Sequence, residues 1–315
     1  MGLRKKSNEP VIDPCMGDPG AARLRDALTR QDWPTAREVV IAAGHPDDRA
    51  FYLEVGGSVP GVQDWIGNWT GSDPLAQLVR GCHAVAWAWE ARGALAAQYT
   101  RDEQFTLFFD RLRLAESYLY DVTTRLPEEP VAWSFLIRTA RGLQLPVEDE
   151  EFRFTEAVRR HPTNLKAHAE FMQSLCAKWG GSDEQMFRFA RGAASRSPGG
   201  NMLAYLVALC HLEIHLGLRG AERSSYVRRP DVQADLRAAA AHSIWNPAAE
   251  FRPGWPLPLN VFAMAFDLSG DRQAAASVFE RLGGHVTTFP WGYLGGLRGT
   301  EKRFAEARKR ALGAR

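Results

Sequence analysis

Histidine is the residue type in this chain best suited to chemistry, because imidazole is the commonest metal ligand and a general base near neutral pH. His211 and His215 stand four residues apart, with Glu213 between them, in a run that reads as one helix. That spacing puts both rings on one helical face. It is not the HExxH arrangement, and two ligands fall short of the three or four a zinc site uses. His168 makes a poor third ligand. It follows Pro162 by six residues whereas His211 follows Pro198 by thirteen, an offset of about 10 Å if the two helices stack in parallel. The sequence therefore predicts no metal site and names no cofactor. The suspects for catalysis are His168, Glu170, His211 and Glu213. The plainer reading makes these histidines buried groups with backbone or carboxylate partners.

Other candidates are weaker. Trp179-Gly180-Gly181-Ser182 could offer backbone N–H groups to an anion at a helix start. Asp183 and Glu184 already bring negative charge there, which favours structural capping. Gly292 to Gly299 lacks a GKS or GKT ending and is not a phosphate loop. No Ser-His-Asp elbow, cysteine nucleophile signature or dinucleotide fingerprint is visible. Arg223, Arg228 and Arg229, and the basic C-terminal run from Lys302 to Arg310, read as solvated faces, with an acidic partner as the sharper alternative.

These residues sit on a run of amphipathic segments. Leu165, His168, Met172 and Leu175 recur at helical spacing after Asn164, a good N-cap, and the helix is expected to stop at Gly180 and Gly181. Ser182 and Gln185 open the next helix as a capping box, with Met186, Phe189, Ala190 and Ala193 as its stripe. The stretch from His161 to Pro198 thus predicts one helical hairpin. Pro127, Pro162 and Pro198 lie 35 and 36 residues apart, and two helices per interval of about 34 residues is the tetratricopeptide pattern. Thr100 and Glu103 predict a capping box before a stripe of Phe105, Phe108, Leu112, Ala115, Leu119 and Val122. Pro74 to Tyr99 is the longest expected helix. Trp65 and Trp69 are expected to share a face. The fold class is all-α: tetratricopeptide-like hairpins stacked as a short solenoid, an irregular helical N-terminal part and a C-terminal capping helix. The expected division is a disordered tail over 1–19, a helical region over 20–126 and repeats with their cap over 127–315.

Composition narrows the partner. A net charge of +2 across 315 residues, 45% of them hydrophobic, argues against nucleic acid. No 18-residue apolar run suggests a membrane span. The N-terminus lacks the apolar stretch of a secretory signal, and none of the four cysteines forms a CxxC pair, so reduced thiols and a cytoplasmic location are expected.

Lys178-Trp179-Gly180-Gly181-Ser182, followed by Met186, Phe189, Ala190 and Arg191, resembles a motif of an actinobacterial helical family of unknown function. AWEARG (Ala88 to Gly93), WSFLIRTARGL (Trp133 to Leu143), RRP (Arg228 to Pro230) and FERLGGHVTTFPWGYLG (Phe279 to Gly295) are similar to the same group. The resemblance implies a tetratricopeptide-like fold and a bacterial, cytoplasmic setting, and it brings no activity.

Two functions follow. The favoured one is a repeat protein, regulatory or accessory, that holds a protein or peptide in a concave groove, with Trp133, Arg138, His168, Gln173, Trp179, His211 and His215 as groove residues. The other is an enzyme or a binder of a small molecule or metal, with a pocket enclosed by the helices.

Overall fold

The computed structural model describes residues 9–93, 100–294 and 299–313, and almost everything in it is helical. Chain contacts divide it into two compact units, Asp18–Leu175, and Met1–Gly17 with Cys176–Arg315.

The Asp18–Leu175 unit opens with α1 (Pro19–Thr29), α2 (Trp33–Ala42) and α3 (Pro46–Gly57). After the short α4 (Val62–Trp65) and α5 (Gly67–Thr70) come α6 (Pro74–Arg92), α7 (Asp102–Arg125), α8 (Pro130–Leu143), α9 (Val147–Arg160) and α10 (Leu165–Ser174). One device starts several of these helices: a side chain that accepts a backbone N–H, with proline in the first turn. Asp18, Asp32, His45, Asp73 and Glu129 all serve this way. The cap satisfies an orphan donor, and proline fixes φ where its missing N–H costs nothing. The stripe Phe108, Leu112, Ala115, Leu119 and Val122 is buried as its spacing predicts, and α7 packs on α6 and α8. Helix α8 is buried over most of its length, from Pro130 to Gly142.

The other unit carries α11 (Asp183–Arg196), α12 (Tyr205–Gly217), α13 (Gly220–Tyr226), α14 (Pro230–His242), α15 (Pro256–Ser269), α16 (Arg272–Leu282), the short α17 (Thr288–Trp291) and α18 (Thr300–Leu312). Helix α15 is its buried centre, apolar on almost every side from Leu259 to Phe266. Phe279, Trp291 and Phe304 meet edge-on or tilted at 5.3–6.1 Å, which fastens the charged α18 by its one apolar edge.

Several expectations change. Residues 9–17 are not a loose tail. Two-residue strands β1 (Val11–Ile12) and β2 (His285–Val286) pair in parallel, and Cys15 is buried. Residue 127 is not a boundary, because α7 and α8 pack within one unit. The hairpin expected over 161–198 is divided: α10 packs on α8 and α9, while α11 packs on α12. Helix α10 stops at Ser174, and a 3-10 turn over Ala177–Trp179 leads to Gly180 at φ +96°. Trp65 is buried and Trp69 exposed; the two lie in separate short helices, α4 and α5. Helix α7 begins one residue later than the Thr100 box requires, with Gln104 Oε1 accepting from the Arg101 N–H at 3.3 Å. Residues 94–99 of the long helix expected to Tyr99 lie outside the described residues. No described helix is long and apolar enough to cross a membrane.

Candidate functional site

The sequence suspects separate onto different partners. In the Asp18–Leu175 unit, His168 is buried: its Nδ1 lies 2.8 Å from the Asn164 carbonyl, and its ring packs edge-on to Phe154. It faces the α9–α10 seam and not a groove. Trp133 is likewise core, edge-on to Tyr120 and Phe152 with the Arg160 guanidinium over it at 5.4 Å. Gln173 and, in the other unit, Trp179 are half-buried.

Glu170 and Arg138 lie in a cluster of fixed charge. Arg141 donates to the Glu170 carbonyl and carboxylate, both at 2.6 Å. Lys166 bridges Glu170 at 3.2 Å and pairs with Glu54, which also accepts from Arg138 at 3.0 Å. These groups come from α3, α8 and α10, whose N-terminal caps set the register that aligns them. Desolvation pushes the Glu170 carboxyl up, but Lys166, Arg141 and Arg138 outweigh it and hold the group well below the ordinary carboxylate range. The same balance, through Lys166 and Arg138, lowers Glu54. Glu54 nevertheless keeps 45% of its side chain exposed. Beside the cluster, Trp89 has the guanidiniums of Arg138, Arg92 and Arg141 at 5.3, 5.8 and 6.0 Å.

In the other unit His211 and Glu213 diverge. Glu213 accepts from Lys178 Nζ at 2.7 Å. His211, buried on α12, reaches α13 and α14: Nδ1 is 2.9 Å from the Tyr226 hydroxyl and Nε2 is 3.1 Å from Asp235. Asp235 also takes Arg191 at 2.7 Å. The hydrogen bond from His211, helped by Arg191, pulls the Asp235 carboxyl down to about 2. The carboxylate is therefore ionised and accepts from Nε2–H; with that tautomer of the ring, Nδ1 accepts from the Tyr226 hydroxyl. Burial pushes the Tyr226 phenol up, so it keeps its proton to donate. Arg191, His211, Asp231 and Asp235 border an open depression of about 440 Å³. Because the phenol holds its proton, the Tyr226 and Asp235 bonds orient the imidazole at the edge of that depression. His215 does not join it. Its Nδ1 donates to the Arg223 carbonyl at 3.0 Å, and burial lowers its pKa. Burial also pushes the Cys82 and Cys210 thiols up, which makes them poor nucleophiles.

Tyr226 and Asp235 were missed as site residues. Asp235 gave one signal: it stands four residues after Asp231, so the two carboxylates share a helical face. A second group was missed altogether. His45, Asp47 and His161 place one donor atom each within 4.8 Å of one another.

The described residues define an all-α class, almost entirely helical. No family model, no curated protein and no solved structure matches the chain.

Proposed function

We propose that the chain binds a protein or peptide partner on faces made by tetratricopeptide-like hairpins, as a regulatory or accessory protein. The carrying observation is the cluster of Glu54, Arg138, Arg141, Lys166 and Glu170. Glu54 is the exposed member, with 45% of its side chain in solvent, over cations that are largely buried, so it is the group that an incoming acid can replace. The cluster's three cations face two carboxylates. With Trp89 and Arg92 alongside, the face favours an anionic group of the partner, which would displace Glu54 and inherit its donors. With this reading goes kinship with the helical group carrying Lys-Trp-Gly-Gly-Ser, and a cytoplasmic site of action.

The test is native mass spectrometry of gently purified protein, wild type against Arg138→Gln/Lys166→Gln. A polypeptide carried by the wild type and lost from the double variant is the expected result. A bare wild-type chain, or a polypeptide that the variant retains, refutes this placement.

One observation favours a second reading, an enzyme or small-molecule binder. The Tyr226–His211–Asp235 chain stands at the edge of the depression beside Arg191. Retention of a ligand of low mass that His211→Asn releases would move the assignment there.

A further inference from the structure

Two His-Pro steps, His45-Pro46 and His161-Pro162, are brought together in the Asp18–Leu175 unit. Proline disfavours helical backbone in the residue before it. His45 is accordingly extended at φ −91°, ψ 136°, capping α3, and His161 at φ −145°, ψ 93°, closing α9. Each ring thus stands at the end of a helix, His45 before α3 and His161 after α9. The rings meet edge-on at 5.1 Å, with the Asp47 carboxylate between them. His161 Nε2 is 3.3 Å and His45 Nδ1 is 3.9 Å from Asp47 Oδ2.

We propose that His45, Asp47 and His161 bind a divalent first-row transition ion of the zinc type. Two imidazoles and one carboxylate suit such an ion. Bonds of about 2.0–2.1 Å at tetrahedral angles put ligand atoms about 3.3 Å apart. One of the two measured separations has that value, and the other needs a shift of about half an ångström to reach it. The carboxylate is already oriented, because Asp47 Oδ1 accepts the Leu165 N–H at 2.9 Å. Such a bond from outside the ligand set fixes which oxygen faces the ion. The side chains remain 30%, 18% and 14% exposed for His45, Asp47 and His161, so an ion has a way in, and the fourth position goes to water.

A simpler account takes His45 as a helix cap and His161–Asp47 as an ion pair. Indeed His45 Nδ1 accepts the Asp47 N–H at 3.2 Å. That account does not require the second ring to converge on the same carboxylate oxygen. The cap does have a consequence: coordination through Nδ1 gives up that bond. The starts of α3 and α10 also oppose a cation with partial positive charge. Binding should therefore be weaker than in a closed four-ligand site.

The test is a titration of the full chain with Co²⁺, followed by visible absorption, and a competition with Zn²⁺. The variants are His45→Asn, which keeps a good cap, and His161→Gln. One equivalent of Co²⁺ with tetrahedral-type bands, displaced by Zn²⁺ and weakened at least ~100-fold in both variants, is the expected result, since loss of a supporting partner alone costs 10–100-fold. Thermal melts of the metal-free variants matching the wild type show that the loss is of ligands and not of fold. Absence of binding to the wild type, or binding that either variant retains at full strength, overturns the proposal.

Discussion

Asp235→Asn isolates the electrostatics around His211. The substitution keeps the shape and one acceptor oxygen but removes the charge shared by His211 at 3.1 Å and Arg191 at 2.7 Å. The carboxyl falls from its ordinary 3.8 to about 2. At about 1.36 kcal/mol per pH unit, this corresponds to about 2.4 kcal/mol of folding free energy at neutral pH. Asp235 is 27% exposed and Arg191 more so, and water screens part of the interaction. We therefore expect a loss of about 1–2 kcal/mol for the variant at pH 7. The sign over pH follows from the direction of the shift. A carboxyl lowered by folding contributes fully above its unfolded value and loses its contribution as pH falls toward its folded value. The difference between wild type and variant should then be flat above about pH 5 and shrink between about pH 4 and 2.

Urea unfolding of both proteins across that range reads the difference directly, and taking the difference cancels the other carboxylates. A cycle with His211→Asn assigns the coupling, which should be at least about 0.5 kcal/mol for groups in contact. A loss that does not change with pH, or coupling within error of zero, would refute the assignment of Asp235 as the anchor of His211.

Three further outcomes follow from packing. Arg153 is buried and donates to Glu116 at 2.5 Å, the Leu136 carbonyl at 2.7 Å and Thr139 at 3.0 Å, so Arg153→Met, by taking the cation from the half-buried Glu116 and leaving it the Thr139 hydroxyl, should cost about 3–5 kcal/mol in denaturant melts. Trp133→Ala should cost a similar ~3–5 kcal/mol, while Trp133→Phe should leave partner retention in native mass spectrometry unchanged, because the ring is core and not groove. Gly200 sits at φ +90°, and a Cβ there would lie 2.5 Å from the Ala248 backbone; Gly200→Ala should lower the melting temperature well beyond the few degrees of a surface change, and a neutral result would show that the 248–249 loop yields.

Local order was readable where one helix face decides it. The α7 stripe lies where its spacing predicts, and Asn164 and Ser182 cap α10 and α11, accepting the Ala167 N–H at 2.9 Å and the Gln185 N–H at 3.2 Å. What the pattern lacks is the identity of each helix's partner. The apolar stripe of α10 suits any neighbour, and it packs on α8 and α9; the stripe of α11 packs on α12. Nothing within residues 161–198 encodes that choice, because the competing surfaces lie elsewhere in the chain. Trp65 and Trp69 fail for a related reason. The i, i+4 rule assumes one continuous helix, and here α4 ends at Trp65 and α5 begins at Gly67.

The sites show the same limit from the side of chemistry. His211 was flagged for its spacing to His215, yet the two rings end on different partners, Asp235 and the Arg223 carbonyl. Spacing along a helix says which side chains share a face, and the elements packed on that face decide what each one meets. His45 and His161 carried the opposite signal. Neither stands at a metal-ligand spacing, and 114 residues separate Asp47 from His161. Each, however, precedes a proline at a helix boundary, where the backbone is held extended. Two such residues at separate boundaries can converge only through tertiary packing. The partners that these two rings meet beyond their own helices are set by the topology that joins α3 to the α9–α10 junction.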